Sequence, residues 1–130
     1  MVLLVDDKHS IREPIRRLLS RHGHEVLVAD SFEEAVRVFA TRPRTIDLLL
    51  TDVVMPGMSG RQLAERLRRL EPDLPILYMS GHPAGIIDPA EALPRGMSFL
   101  AKPFSPQKLF DAVEEALGAR RPGARATGSG

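Results

Sequence analysis

Five side chains able to handle a charged group stand where apolar runs end. Asp6 and Asp7 follow Val2 to Val5, Asp52 follows Ile46 to Thr51, Ser80 follows Pro75 to Met79, and Lys102 follows Met97 to Ala101. Three carboxylates brought together repel one another unless a cation joins them, and oxygen ligands with no thiol or histidine cluster beside them suit magnesium. A hydroxyl and an ammonium facing such an ion would hold the oxygens of a phosphoryl group, and a carboxylate is itself able to accept that group. Metal, lysine and hydroxyl are what phosphoryl transfer needs, because its loose transition state asks mainly for charge neutralisation and in-line positioning. Taken alone, each residue has a plainer reading; Asp52, just before Met55-Pro56-Gly57, is equally at home as a turn or cap residue. The chemistry becomes the better reading only if a fold carries all five to one place.

The pattern between these residues predicts such a fold. Val2–Val5, Ile46–Thr51, Pro75–Ser80 and Met97–Ala101 read as strands, and Glu25–Ala29 as a further one lying second in the chain; continuous apolar runs bounded by turn residues mark strands buried on both faces. Ser10-Ile11-Arg12-Glu13 has the spacing of a capping box, opening a helix with Ile11, Ile15, Leu18 and Leu19 on one face and its end near Gly23. Pro14 would then take the fourth helical position and predicts a local kink without a break. Ser31 to Glu34 is a second box, followed by Phe32, Ala35, Val36 and Phe39 at helical spacing. Ser59-Gly60-Arg61-Gln62 caps a third helix, whose buried stripe is expected to be Leu63, Leu67 and Leu70. Pro83, Gly85, Pro89, Pro94 and Gly96 crowd residues 82–96, so only a short or irregular fourth helix is expected there. Ser105 caps the last helix, with Pro106 at its first position, Leu109, Phe110, Val113, Ala116 and Leu117 inward, and Gly118 as its stop. Strands alternating with helices imply a doubly wound α/β fold, a parallel sheet covered on both sides through right-handed crossovers. Ligands bind such sheets at the C-terminal rim, which is where all five chemical residues fall.

Composition narrows the classes. A chain of 130 residues, 43% hydrophobic and 27% charged, suits one compact domain. With no cysteine in the sequence, disulfides, thiolate catalysis and cysteine-based zinc sites are excluded. Nothing in the sequence reads as a membrane span or a secretory leader, so a cytoplasmic location without membrane attachment is expected. The formal charge of +1 includes Arg120, Arg121 and Arg125 in an acid-free stretch. Without them the remainder is slightly acidic, so no nucleic-acid footprint is expected on the folded part. Domain boundaries are therefore placed at 1–118 for the folded unit and 119–130 for a Gly-, Ala-, Arg- and Pro-rich disordered tail or linker. Arg61, Arg66, Arg68 and Arg69 resemble a phosphate patch but read better as a solvated helix face.

VDD at 5–7, TDVVMPGMSG at 51–60, LYMSG at 77–81 and FLAKPF at 99–104 together resemble the receiver domain of two-component response regulators over residues 1 to about 118. The resemblance implies a flavodoxin-like, five-stranded sheet of order 2-1-3-4-5. It implies that Asp52 is the phosphoacceptor, taking its phosphoryl group from the phosphohistidine of a sensor histidine kinase or a histidine phosphotransfer protein. Mg²⁺ would be bound by Asp7, Asp52 and the backbone carbonyl of Val54, with Asp6 acting through water. Ser80 and Lys102 would hold the phosphoryl oxygens, and Phe99 would turn inward as Ser80 moves, making these two the switch pair. The Lys102-Pro103 bond would be cis. Val54 and His82 would overlook the phosphoryl group and set its lifetime. Such a domain catalyses its own phosphorylation and dephosphorylation without turning over a separate substrate, and admits a phosphorylation-dependent dimer.

Two features depart from the family pattern: Lys8 stands where a glutamate is common, and the proline-rich 82–96 stretch replaces a regular helix. LYMSGH and FLAKPF look more like receivers attached to hybrid sensor kinases. An enzyme alternative, a haloacid-dehalogenase-like phosphatase, would also use an aspartate nucleophile. It requires a second aspartate two residues after the first-strand nucleophile, and Lys8 stands there instead. A flavodoxin-like cofactor binder would need a Ser/Thr-Gly phosphate loop after the first strand, which the sequence lacks.

Overall fold

A computed structural model describes residues 1–42, 44–53, 59–80 and 97–120, apart from the side chains of Ser80, Ala119 and Arg120. The elements follow in the order β1 (Val2–Val5), α1 (His9–Arg21), β2 (Val26–Ala29), α2 (Phe32–Thr41), β3 (Leu48–Asp52), α3 (Gly60–Leu70), β4 (Ile76–Ser80), β5 (Met97–Ala101) and α4 (Pro106–Arg120). The strands form one sheet of order β2-β1-β3-β4-β5, every neighbouring pair parallel. This is the expected doubly wound, flavodoxin-like topology. The helix expected within 82–96 and most of the 119–130 tail lie outside the described residues.

Burial on both faces explains why the central strands carry unbroken apolar runs. All four residues of β1, and Leu48, Leu49 and Leu50 of β3, have no exposed surface. Alternate residues serve opposite layers. Leu3, Val5, Leu49, Val53 and Ile76 pack with Ala35 and Phe39 of α2 and Leu63, Ala64 and Leu67 of α3. Val2, Leu4, Leu48, Leu50, Leu77 and Met79 pack with Ile15 and Leu19 of α1 and Leu109, Val113 and Ala116 of α4. The edge strand β2 is less covered, and its Val28 is exposed. No helix among the described residues is long and apolar enough to cross a membrane.

The helix ends show where the sequence rules held and where they did not. Ser59 and Gln62 form the full reciprocal capping box of α3. Ser31 accepts the N–H of Glu34, while the Glu34 carboxylate reaches one residue further back, to the N–H of Asp30. Ser105 accepts the N–H of Lys108 and its carbonyl that of Leu109, which leaves Pro106 first in α4. Gly23, with φ +95°, closes α1 in a conformation that a side chain resists. The box predicted at Ser10 does not form. Helix α1 starts earlier, behind Lys8, which offers no side-chain cap, and Glu13 is held by Arg16 instead. Pro14 therefore falls two positions later than expected, and the helix passes through it unbroken. Leu70, predicted inward, is 60% exposed, and Ala64 and Gly60 are the buried companions of Leu63 and Leu67. Gly118 does not stop α4, which continues to Arg120. Glycine is disfavoured inside a helix by only about 1 kcal/mol relative to alanine.

Candidate functional site

The C-terminal ends of β1 and β3 lie side by side, with Val5 opposite Thr51 in the ladder. The next residues are therefore acids from both strands, and oxygen atoms of Asp6, Asp7 and Asp52 lie within 4.8 Å of one another. From the far side of β4, the end of β5 sends in Lys102. Its Nζ is 3.5 Å from Asp6 Oδ2 and 3.7 Å from Asp52 Oδ2. The Lys102-Pro103 peptide is cis, as expected.

The three acids are not equivalent. Asp6 is completely buried. Its Oδ1 accepts the N–H of Lys8 at 2.9 Å, and its Oδ2 has the lysine nearby but no hydrogen-bond partner. Asp7 is half-buried. The Asp52 side chain, 14% exposed, is the acid of the central strand that still opens to the rim. At such separations each carboxylate pair repels by roughly 3–4 kcal/mol at an effective dielectric constant of about 20. One ammonium sits within 4 Å of two of the acids, as the distances above show. A divalent cation suits this donor set: an orphaned buried carboxylate oxygen among three hard ligands.

Of the other residues singled out from the sequence, Ser80 ends β4 with its backbone paired to Ala101; its side chain is not among those described. Phe99 lies opposite Tyr78 in the β4–β5 ladder, half-buried against the layer formed by α2 and α3. Val54 and His82 lie outside the described residues. The arginines of α3 do not converge on the site. Arg68 donates to the Leu74 carbonyl at 2.9 Å, and burial pulls its guanidinium below its usual range. Arg61, Arg66 and Arg69 are exposed, as the solvated-face reading expected.

Two residues touch the site that sequence reasoning placed only in helix caps. A Cβ on Gly60 would lie 2.1 Å from the Asp52 carbonyl oxygen, so α3 approaches the end of β3 at a distance that only glycine permits. The Gly60 N–H also donates to the Val53 carbonyl at 2.7 Å. On the opposite face Arg12 reaches back from α1 and donates through Nη1 to the Asp6 carbonyl at 2.7 Å. A glycine directly after a capping serine was the available signal for the first; the second had none.

Residues 2–114 match the family described as "Response regulator receiver domain". The chain is 38% identical over 129 residues to the response regulator protein FleR of Pseudomonas aeruginosa, covering 98% of this chain and 26% of FleR. It is 34% identical over 116 residues to the response regulator receiver protein CpdR of Brucella abortus, covering 89% of this chain and 95% of CpdR. Among solved structures it is similar to the receiver domain from the hybrid histidine kinase CckA, with a TM-score of 0.77 and 34% identity over 89% of this chain and 97% of that one. The chain thus spans about a quarter of FleR and nearly all of CpdR. Family match, sheet order and acid cluster agree: the chain belongs to the response regulator receiver domain family.

Proposed function

We propose that this domain accepts a phosphoryl group on Asp52 from the phosphohistidine of a sensor histidine kinase or histidine phosphotransfer protein, with Mg²⁺ at the acidic cluster. The observation that carries the reading is the gathering of Asp6, Asp7 and Asp52 within 4.8 Å, with the Lys102 ammonium 3.5 Å and 3.7 Å from two of them. Asp52 is the acceptor because Asp6 is sealed from solvent and tied to Lys8, whereas Asp52 ends the central strand and opens to the rim. Its carboxylate oxygen forms the new O–P bond as the donor's P–N bond breaks; the electron pair and a solvent proton go to the departing imidazole. Asp7, Asp52 and the Val54 carbonyl would hold the metal, with Asp6 acting through water. When bound, the ion supplies neutralisation of the carboxylates and of the incoming phosphoryl oxygens. Lys102 and the Ser80 hydroxyl take the remaining phosphoryl oxygens, and Ser80 with Phe99 carries the switch. The unit that performs this is the 1–118 receiver, with 119–130 a tail or linker. The phosphatase and flavin-binder alternatives have no observation in their favour.

Acetyl phosphate with Mg²⁺ tests the reading by intact-mass measurement. One phosphoryl group is expected on the wild type, and none on Asp52→Asn or in excess chelator. Equal labelling of Asp52→Asn would assign the acceptor elsewhere.

A further inference from the structure

The turn that carries Asp7 is held by a side chain that the phosphoryl chemistry does not use. Residues Asp6 to Lys8 link β1 to α1, and Asp6 is anchored three times. Its N–H donates to Ala29 at 3.2 Å, its Oδ1 accepts from Lys8, and its carbonyl accepts from Arg12 Nη1 at 2.7 Å. The last bond is the informative one. The Asp6 carbonyl belongs to the peptide unit joining Asp6 to Asp7, so an atom that fixes its direction fixes the plane from which the Asp7 side chain departs. The ladder cannot do this, because the paired residues of β1 end at Val5. Nor can a helix cap, since Lys8 contributes no side-chain bond and α1 has no acid in its first turn. Arg12 stands in the first helical turns, with its own N–H on the Lys8 carbonyl at 2.9 Å, so one residue ties both ends of the turn.

We infer that Arg12 is a positioning residue of the acidic cluster: by gripping the Asp6 carbonyl it sets the Asp6–Asp7 peptide plane and with it the aim of the Asp7 carboxylate at the metal. This rests on the proposed metal-binding reading of the cluster. A charge-assisted bond of this length is of the stronger kind, and residues that orient metal ligands from behind typically alter affinity by about 10- to 100-fold when removed.

The sign of the effect separates positioning from charge. Removing a cation beside a cation site should tighten Mg²⁺ binding if the guanidinium acts only as a charge, whereas losing the grip on the peptide should weaken it. Calorimetric titration of Mg²⁺ into wild type, Arg12→Met and Arg12→Lys decides, with melting temperatures taken in chelator. Arg12→Met keeps the apolar stem but no donor; it should bind Mg²⁺ about tenfold more weakly at a metal-free melting temperature close to wild type. Arg12→Lys, which keeps a donor and the charge, should recover most of the loss. Should Arg12→Met fail to fold, Arg12→Leu, which likewise carries no donor, is read the same way. Unchanged or tighter binding in the donor-free variant, or no recovery with lysine, overturns the inference. A wild type that takes up no Mg²⁺ overturns instead the reading on which it rests.

Discussion

Replacing Gly60 with alanine tests whether the start of α3 is braced against Asp52, the proposed phosphoacceptor. The new methyl carbon would meet the Asp52 carbonyl oxygen at 2.1 Å, its carbon at 3.0 Å and Thr51 Cγ2 at 3.2 Å. Optimal heavy-atom contact lies at about 3.5 Å or beyond, so the closest pair overlaps by roughly 1.4 Å. Backbone is struck, not the end of a flexible side chain, so either α3 backs away from β3 or the Asp52 peptide turns. The first breaks the Gly60–Val53 hydrogen bond of 2.7 Å; the second re-aims the acceptor. Overpacking of this kind costs about 1–3 kcal/mol, lowering the melting temperature of a domain this size by roughly 4–15 °C. Without the close approach, the intrinsic preference for alanine in a helix would act the other way by up to about 1 kcal/mol. Displacement of a reacting atom by about 1 Å slows reaction on the order of a hundredfold, so phosphorylation by acetyl phosphate should fall well beyond the loss of folded protein. Thermal melts and single-turnover phosphorylation, followed by intact mass, are the assays. A Gly60→Ala protein melting at or above the wild-type temperature and labelling at the wild-type rate would refute the reasoning.

Lys102→Ala removes the ammonium nearest to the fully buried Asp6 carboxylate and should lower the metal-free melting stability by about 1–3 kcal/mol, with Mg²⁺ restoring part of it; identical melts in chelator would contradict the pairing. Tyr78 is the sole tyrosine, 2% exposed, with its hydroxyl 3.8 Å from Met97 Sδ; burial raises its pKa, partly opposed by the charges of Arg61 and Arg68. The fold favours the neutral phenol, so this residue's contribution is intact below the unfolded value of about 10 and is lost as pH climbs from there towards the folded value. Ultraviolet titration should show tyrosinate forming at higher pH in the native protein than in urea, and coincident curves would rule this out. Val54, two residues after the proposed acceptor Asp52, has no side-chain group to hold an attacking water, so phospho-Asp52 should decay faster in Val54→Asn than in wild type once the donor is removed. An equal or slower decay would show that this side chain does not govern access of water.

How far the molecule could be read in advance depends on whether a feature leaves a mark along the chain. The runs Val2–Val5 and Leu48–Leu50 announce buried strands because each face meets a helix layer, and the acids ending them, with Lys102, stand out as charge at the limit of apolar sequence. Leu70 misleads because helical spacing continues into a last turn whose side chain reaches solvent. Ser10 misleads because a capping pattern is only an opportunity: α1 begins at His9, and Arg16 claims Glu13. Gly118 misleads because a glycine near the end of a strongly helical stretch is affordable. Arg12 left no mark as part of the site, and Gly60 only that of a glycine after a capping serine, for a different reason. A guanidinium reaching back to a backbone carbonyl, and a helix start pressed on a strand end, are facts of three-dimensional approach with no period or composition of their own.

Among the described residues the sheet divides the buried side chains into two clusters with none in common, and the acid cluster is the place where both are felt. Helix α3, from one side, presses on the Asp52 carbonyl through Gly60; helix α1, from the other, grips the Asp6 carbonyl through Arg12. The two acids are thus held like a workpiece between jaws mounted on separate arms. Both contacts are made to backbone carbonyls, so a shift of either helix would reach its acid through a peptide plane and not through the carboxylate itself.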